Sequence, residues 1–259
     1  MTGTIDVQRH ALHATITLNN PTKRNALSQA MFIALGKALT ELSSDSSLRC
    51  IVLTGAGTQA FGSGGDIEEY AQKRAEKRQA MAYAEDGYRT MRILRDCPVP
   101  VIAAIRGACV GGAFQLAGLS DIRLCTDDSR FGLPLTKLGL TLSYFEMENL
   151  RRYVGRNTAA ELLLEGRLLA APEALAKGLV HRVLAPAEFD EAVAKTVARV
   201  TQGAPLAARA HKKFLQRLDR PEPLSPAEID EPYACFDTED YRIGYQAFIR
   251  GETPEFVGR

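Results

Sequence analysis

Two short segments do most to restrict what this chain can fold into: Ala60-Phe61-Gly62-Ser63-Gly64-Gly65-Asp66-Ile67 and Arg106-Gly107-Ala108-Cys109-Val110-Gly111-Gly112-Ala113. Each follows an apolar, strand-like run, Cys50-Ile51-Val52-Leu53 before the first and Val101-Ile102-Ala103-Ala104-Ile105 before the second, and each is placed to open a helix. A glycine pair at a strand-to-helix turn lets the backbone approach a ligand closely, and the orphan amides of a helix's first turn point toward negative charge. Two such turns can aim two backbone N–H groups at one oxygen, which is the chemistry of an oxyanion hole.

Around these turns the chain alternates. Leu12, Ala14, Ile16 and Leu18 interleave with His13, Thr15 and Thr17 at the period of a half-buried strand, closed by Asn19-Asn20-Pro21. From Ser28, an expected N-cap, Met31, Leu35, Ala38, Leu39 and Leu42 recur at helical spacing, and the buried strand at 50–54 follows. After Asp66 a polar helical region extends to about Leu94, with Lys73, Arg74, Glu76, Lys77 and Arg78 read as a solvated face. A strand at 99–105, a helix near 112–119 and a short strand at 121–126 complete an alternation that predicts a parallel α/β core. Beyond Leu140 helices dominate, at 146–154, 158–165, 172–177, 187–202 and 205–218, punctuated by Gly155, Gly166, Gly178 and Gly203. Residues 221–226 read as a linker and 227–250 as one or two terminal helices.

Composition narrows the partners. A chain of 259 residues can bury a full core, and 46% hydrophobic and 24% charged residues with net charge +1 give no electrostatic reason to expect nucleic acid or a membrane surface. No apolar stretch reaches the ~18 residues of a membrane span, and the start Met1-Thr2-Gly3-Thr4-Ile5-Asp6 lacks the basic and apolar regions of a signal peptide, so a cytoplasmic protein is expected. The five cysteines include no Cys-x-x-Cys pair, and Cys50, Cys109 and Cys125 sit in or beside apolar runs as buried thiols. The scattered His10, His13, His181 and His211 argue against zinc, and no metal site is expected. Gly55-Ala56-Gly57-Thr58-Gln59-Ala60 matches a dinucleotide fingerprint, but a long charged helix follows where a second strand with a ribose-binding acid should stand. Phe61 also stands where a G-x-S-x-G elbow needs its first glycine.

The motifs taken in order resemble the crotonase, or enoyl-CoA hydratase/isomerase, superfamily over essentially the whole chain. Lys23-Arg24-Asn25-Ala26-Leu27 resembles its "R-N-A-L" element, residues 60–67 its "F-x-x-G-x-D-I/L" loop, and Gly107 to Gly112 its "G-x-x-x-G-G" turn. Ser120-Asp121-Ile122-Arg123, Phe131-Gly132-Leu133-Pro134, 174–180 and Glu239-Asp240-Tyr241-Arg242 continue the match. The resemblance implies an α/β spiral of ββα units, with a core at 1–200 and a C-terminal helical region at 201–259 for trimerisation and coenzyme A contact. It implies a homotrimer or dimer of trimers acting on an acyl-CoA thioester as a lyase or isomerase of fatty acid metabolism, with no cofactor beyond the coenzyme A moiety of the substrate. Carried over by position, the oxyanion-hole amides are those of Gly65 and Gly112. Lys23, Arg24, Ala26, Ser63, Asp66, Ile67, Gln115, Pro134, Leu135 and Phe248 are then the candidate substrate contacts. Asp66 itself is the right residue type to cap the helix that follows it.

Two departures bear on the chemistry. Hydratases of this family use two glutamates, one three residues after the second oxyanion glycine and one just after the proline, because adding water across a double bond needs a base and an acid. This chain has Gln115 and Leu135 there, and neither exchanges a proton near neutral pH. The position at which some relatives place an aspartate is Ser143, and the usual "P-G-x-G-G" stretch is Leu142-Ser143-Tyr144-Phe145-Glu146. Ser143, Tyr144 and Glu146 are therefore the remaining acid/base candidates. Ser143 and Glu146 also have the spacing of a capping box, and a free tyrosine pKa near 10 makes Tyr144 a poor base unaided. Ordinary hydratase activity is expected to be weak or absent. Decarboxylation, thioester hydrolysis and non-catalytic acyl-CoA binding remain open.

Overall fold

A computed structural model describes residues 3–259; the sequence expectation at Met1 and Thr2 lies outside the described residues. The chain opens with β1 (Thr4–Arg9) and β2 (His13–Asn19), an antiparallel pair, followed by α1 (Gln29–Ser43), whose N-cap Ser28 accepts from the Met31 amide. β2 buries every second residue as its alternation predicts. β1 is nearly all exposed and carries no such signal, so its sequence does not announce it.

From Cys50 onward the chain alternates between two sheets. β3 (Cys50–Gly55) runs into β4 (Ala60–Gly62), β5 (Val101–Ile105) into β6 (Ala108–Val110), and β7 (Ile122–Thr126) into β8 (Arg130–Gly132). The first strand of each pair lies in a larger sheet ordered β1-β2-β3-β5-β7-β10 and the second in a smaller sheet ordered β4-β6-β8-β9, where β9 is Leu169–Ala170 and β10 Arg182–Leu184. Each pair then feeds helices: α2 (Tyr70–Lys73) and α3 (Lys77–Arg95) after β4, α4 (Gly112–Gly118) after β6, and α5 (Tyr144–Glu165) after β8. Three ββα turns thus stack as a spiral. The remaining helices are α6 (Ala171–Ala176), α7 (Pro186–Gln202), α8 (Pro205–Leu218), α9 (Pro226–Asp230) and α10 (Glu239–Arg250).

β3 and β5 are uninterrupted apolar runs because both their faces are covered. Ile51, Leu53, Val101, Ala103 and Ile105 join the main core, while Cys50, Val52, Ile102 and Ala104 pack with Phe189 and Val197 of α7. Phe61, Phe114 and Phe131, from β4, α4 and β8, are fully buried, each worth roughly 1.5–3 kcal/mol of burial. α8 is tied to the sheet by the buried Lys212, whose Nζ meets Asp121 Oδ2 at 2.7 Å and the Val99 carbonyl at 3.1 Å.

Two expectations need correction. The long helix after Asp66 is broken: a 3-10 turn at Ile67–Glu69 and α2 end at Arg74 (φ −138°) before α3 begins. Of its five charges, Arg74 is half-buried and does not belong to the solvated face. The dinucleotide-like segment is a turn joining β3 to β4, with no helix opening from it. The expected break at Gly155 is present inside α5, where φ is +73°.

Candidate active site

β4, β6 and β8 are parallel neighbours, so the residues just beyond each strand emerge side by side at one end of the small sheet. Those residues are Gly64-Gly65, Gly111-Gly112 and Leu133-Pro134-Leu135. The first two turns touch backbone to backbone. A methyl built on Gly111 (φ +60°) would lie 3.1 Å from Gly64 Cα, and one built on Gly64 (φ +101°) would lie 3.7 Å from Gly112 N. Only glycine suits that approach and those dihedral angles. The second turn is bonded to the third strand in turn, through Gly111 N to the Gly132 carbonyl at 3.0 Å.

Both expected amides are left with donor capacity. Leu27 N donates to Gly64 O (2.7 Å) and Asp66 N donates to Leu27 O (2.9 Å), so the strand-like bonding is taken by residues 64 and 66. The N–H of Gly65 between them is turned to the opposite side. Gly112 is the first residue of α4, where an amide has no intrahelical acceptor. Among the described residues neither amide donates to a protein acceptor, and both glycines line one cleft with Phe32, Tyr70, Arg74, Tyr88, Gln115, Leu135 and Glu146.

Glu146 is held at this cleft by the start of α5. Its Oε2 accepts from Ser143 N (2.8 Å), Ser143 Oγ (2.8 Å) and the Tyr88 hydroxyl (3.2 Å), and Ser143 Oγ accepts from Glu146 N (3.2 Å), which completes the capping box. Its Oε1 accepts from Gln115 Nε2 at 3.2 Å. Burial, reinforced by the adjacent Glu146 carboxylate, raises the Tyr88 pKa, so at neutral pH this hydroxyl remains a donor. With three donors on Oε2 and one on Oε1, Oε1 has lone-pair capacity for a further partner. Gln115 Oε1 and Asn149 Nδ2 are buried without a protein partner beside the same helices.

The other sequence candidates separate. Gln115 and Leu135 line the cleft. Asp66 is buried and caps the turn after it, accepting from Glu68 N at 3.1 Å, while its other oxygen pairs with Lys23 Nζ at 2.8 Å. Lys23 also pairs with Glu68, so its charge is already engaged. Arg24 is exposed, Ala26 is buried, and Ser63 bonds the Lys23 and Arg24 carbonyls, which fixes the first turn on the 20–27 loop. Pro134 starts the 3-10 turn that carries Leu135, and Ile67 is exposed. Tyr144 is 94% exposed and outside the cleft lining, and Phe248 is 88% exposed on α10; the structure brings neither to the amides. Sequence reasoning missed Tyr88 and Arg74. The signal for Tyr88 was present: Ala84, Gly87, Tyr88 and Met91, at helical spacing on an otherwise charged helix, all face the cleft.

A model of the Enoyl-CoA hydratase/isomerase family matches residues 9–259. The chain belongs to this family. It shares the crotonase fold of a solved enoyl-CoA hydratase/carnithine racemase from Magnetospirillum magneticum, with 45% identity, a TM-score of 0.97 and coverage of 98% of this chain and 96% of that one. It is 33% identical over 259 residues to a Mycobacterium bovis protein named "Probable enoyl-CoA hydratase echA8", covering 99% of this chain and 98% of the relative. It is 29% identical over 250 residues to a methylmalonyl-CoA decarboxylase of Escherichia coli, covering 95% and 94%. Among the described residues no helix is long and apolar enough to cross a membrane.

Proposed function

We propose that this family member binds an acyl-CoA thioester with its carbonyl oxygen between the amides of Gly65 and Gly112, and stabilises the enolate that forms when charge moves onto that oxygen. The observation that carries the reading is the pair of unpartnered glycine amides on one cleft. Donors fixed in advance stabilise developing charge without reorganising, and each is worth about 10²–10³ in rate. No cofactor beyond the coenzyme A moiety of the substrate is required.

Proton transfer falls to Glu146, the carboxylate lining the cleft. Gln115 occupies the position of one hydratase glutamate and its amide bonds Glu146 Oε1, so the carboxylate stands one side chain away from the usual place. Ser143 and Tyr88 hold it there, and Tyr144 has no part in the step. With Leu135 apolar, a second carboxylate is lacking, and hydration of crotonyl-CoA is expected well below the ~10 per second of an ordinary enzyme. Deuterium exchange at the α carbon of a bound acyl-CoA in heavy water tests the enolate whatever the final product. The wild type is expected to exchange and Glu146→Gln to lose about 10²–10⁴ of the rate; a thioester that binds without any exchange contradicts the reading.

Decarboxylation is the second reading, favoured by Gln115 and Leu135. Breaking the bond to a departing carbon dioxide sends its electron pair to the thioester oxygen and makes the same enolate with no base, and the Escherichia coli relative is named for such a reaction. Release of carbon dioxide from malonyl-type thioesters that survives in Glu146→Gln supports it. The proposal also includes self-association as a trimer or dimer of trimers: Leu218, Tyr233, Phe236, Tyr245, Phe248 and Ile249 leave an apolar surface on the C-terminal helices. Light scattering at a single-chain mass contradicts that part.

A further inference from the structure

Arg74 is the charged residue of the cleft that the catalytic reading leaves unused. It stands where α2 ends, half-buried, with its guanidinium carbon 4.2 Å from the ring centroid of Tyr70 and 5.4 Å from that of Tyr83. Among the described residues no acidic side chain pairs with it. Two carboxylates of this region are engaged elsewhere: Glu69 accepts from Lys73 (2.9 Å), Tyr83 (2.8 Å) and the Gln29 amide (2.8 Å), and Glu146 is bound as described above, while Glu76 is exposed. Stacking on tyrosine faces orients a guanidinium while leaving its in-plane N–H fork unspent, and that fork matches a carboxylate bidentately. A half-buried guanidinium with no protein counter-ion is free to take a ligand's anion.

We propose that Arg74 binds a carboxylate at the far end of the acyl group, so that the preferred substrates are coenzyme A half-thioesters of dicarboxylic acids. The inference rests on the acyl-CoA reading and deepens it. The glycine amides take the thioester oxygen at one end of the acyl group, and Arg74 takes the carboxylate at the other. A carboxylate paired in this way is stabilised in the bound ground state, so it is a group retained for recognition rather than the one lost. The same fork also suits the phosphates of coenzyme A, and the experiment separates the two sources of anion.

Calorimetric binding of butyryl-, malonyl-, succinyl- and glutaryl-CoA and of free coenzyme A to the wild type, Arg74→Gln and Arg74→Lys is the test. The wild type is expected to prefer the carboxylated thioester of best-fitting length over butyryl-CoA by on the order of tenfold to a hundredfold. Arg74→Gln brings that ratio near one, and Arg74→Lys, which keeps the charge but not the fork, retains part of it. Binding of butyryl-CoA with no preference for any carboxylated thioester overturns the inference and leaves the acyl-CoA reading standing. Equal weakening of every ligand by Arg74→Gln, free coenzyme A included, assigns Arg74 to the phosphates and also overturns it. Failure of every thioester to bind overturns the acyl-CoA reading and this inference with it.

Discussion

The first two turns of the spiral and the third are built alike and differ in what they carry. Turns one and two end in Gly64-Gly65 and Gly111-Gly112, where the proposed chemistry is on the backbone and where, at Gly64 and Gly111, side chains are excluded by contact and by positive φ. Turn three ends in Pro134-Leu135 and leads to the Ser143–Glu146 helix start, where the proposed chemistry is on side chains. A site made of amides changes only if the fold changes, whereas a site made of side chains is free to be rewritten. The proposed site has the first in the family's pattern and departs from that pattern in the second, with Gln115 and Leu135.

The largest effect expected from testing that contrast is Gly112→Pro. Proline is well tolerated at the first position of a helix, its Cβ would meet only side-chain ends, Phe32 Cζ at 3.3 Å and Leu27 Cδ1 at 4.0 Å, and its missing N–H deletes one proposed oxyanion donor with the helix left in place. α-Proton exchange should fall about 10²–10³; an unchanged rate would mean that turn two does not carry the chemistry. Phe61→Ala and Phe131→Ala, in the first and third turns, should each cost about 3–5 kcal/mol by denaturant unfolding, because the frame is shared even where the chemistry is not. A large inequality between them would break the claim of equal frames. Gly111→Ala should cost about 1–3 kcal/mol, from left-handed strain and the close approach to Gly64, and should weaken acyl-CoA binding in the same step. Ser143→Ala should cost about 1 kcal/mol as a lost cap and slow exchange by releasing Glu146, whereas Tyr144→Phe, at an exposed position, should change neither quantity measurably.

The same contrast explains what the sequence disclosed. The glycine turns were legible because glycine pairs after buried strands have few other uses, and the caps at Asp66 and Ser143 because capping needs oxygen side chains at fixed spacing. β3 and β5 of the larger sheet declared themselves through burial on both faces, whereas β10, three residues with none buried, did not. The small sheet was illegible: β4, β6 and β8 have three residues each, too few for any period to register, and their pairing is wholly long-range. Arg74 was hidden in a run of charges whose other four members, Lys73, Glu76, Lys77 and Arg78, are exposed. It lies four residues after Tyr70, over whose ring its guanidinium stands.

The most direct test of the account is a crystal structure with an acyl-CoA bound. Both the Gly65 and Gly112 nitrogens are expected about 2.7–3.1 Å from the thioester oxygen. A thioester carbonyl held by side chains, or reached by one amide while the other points away, would contradict it.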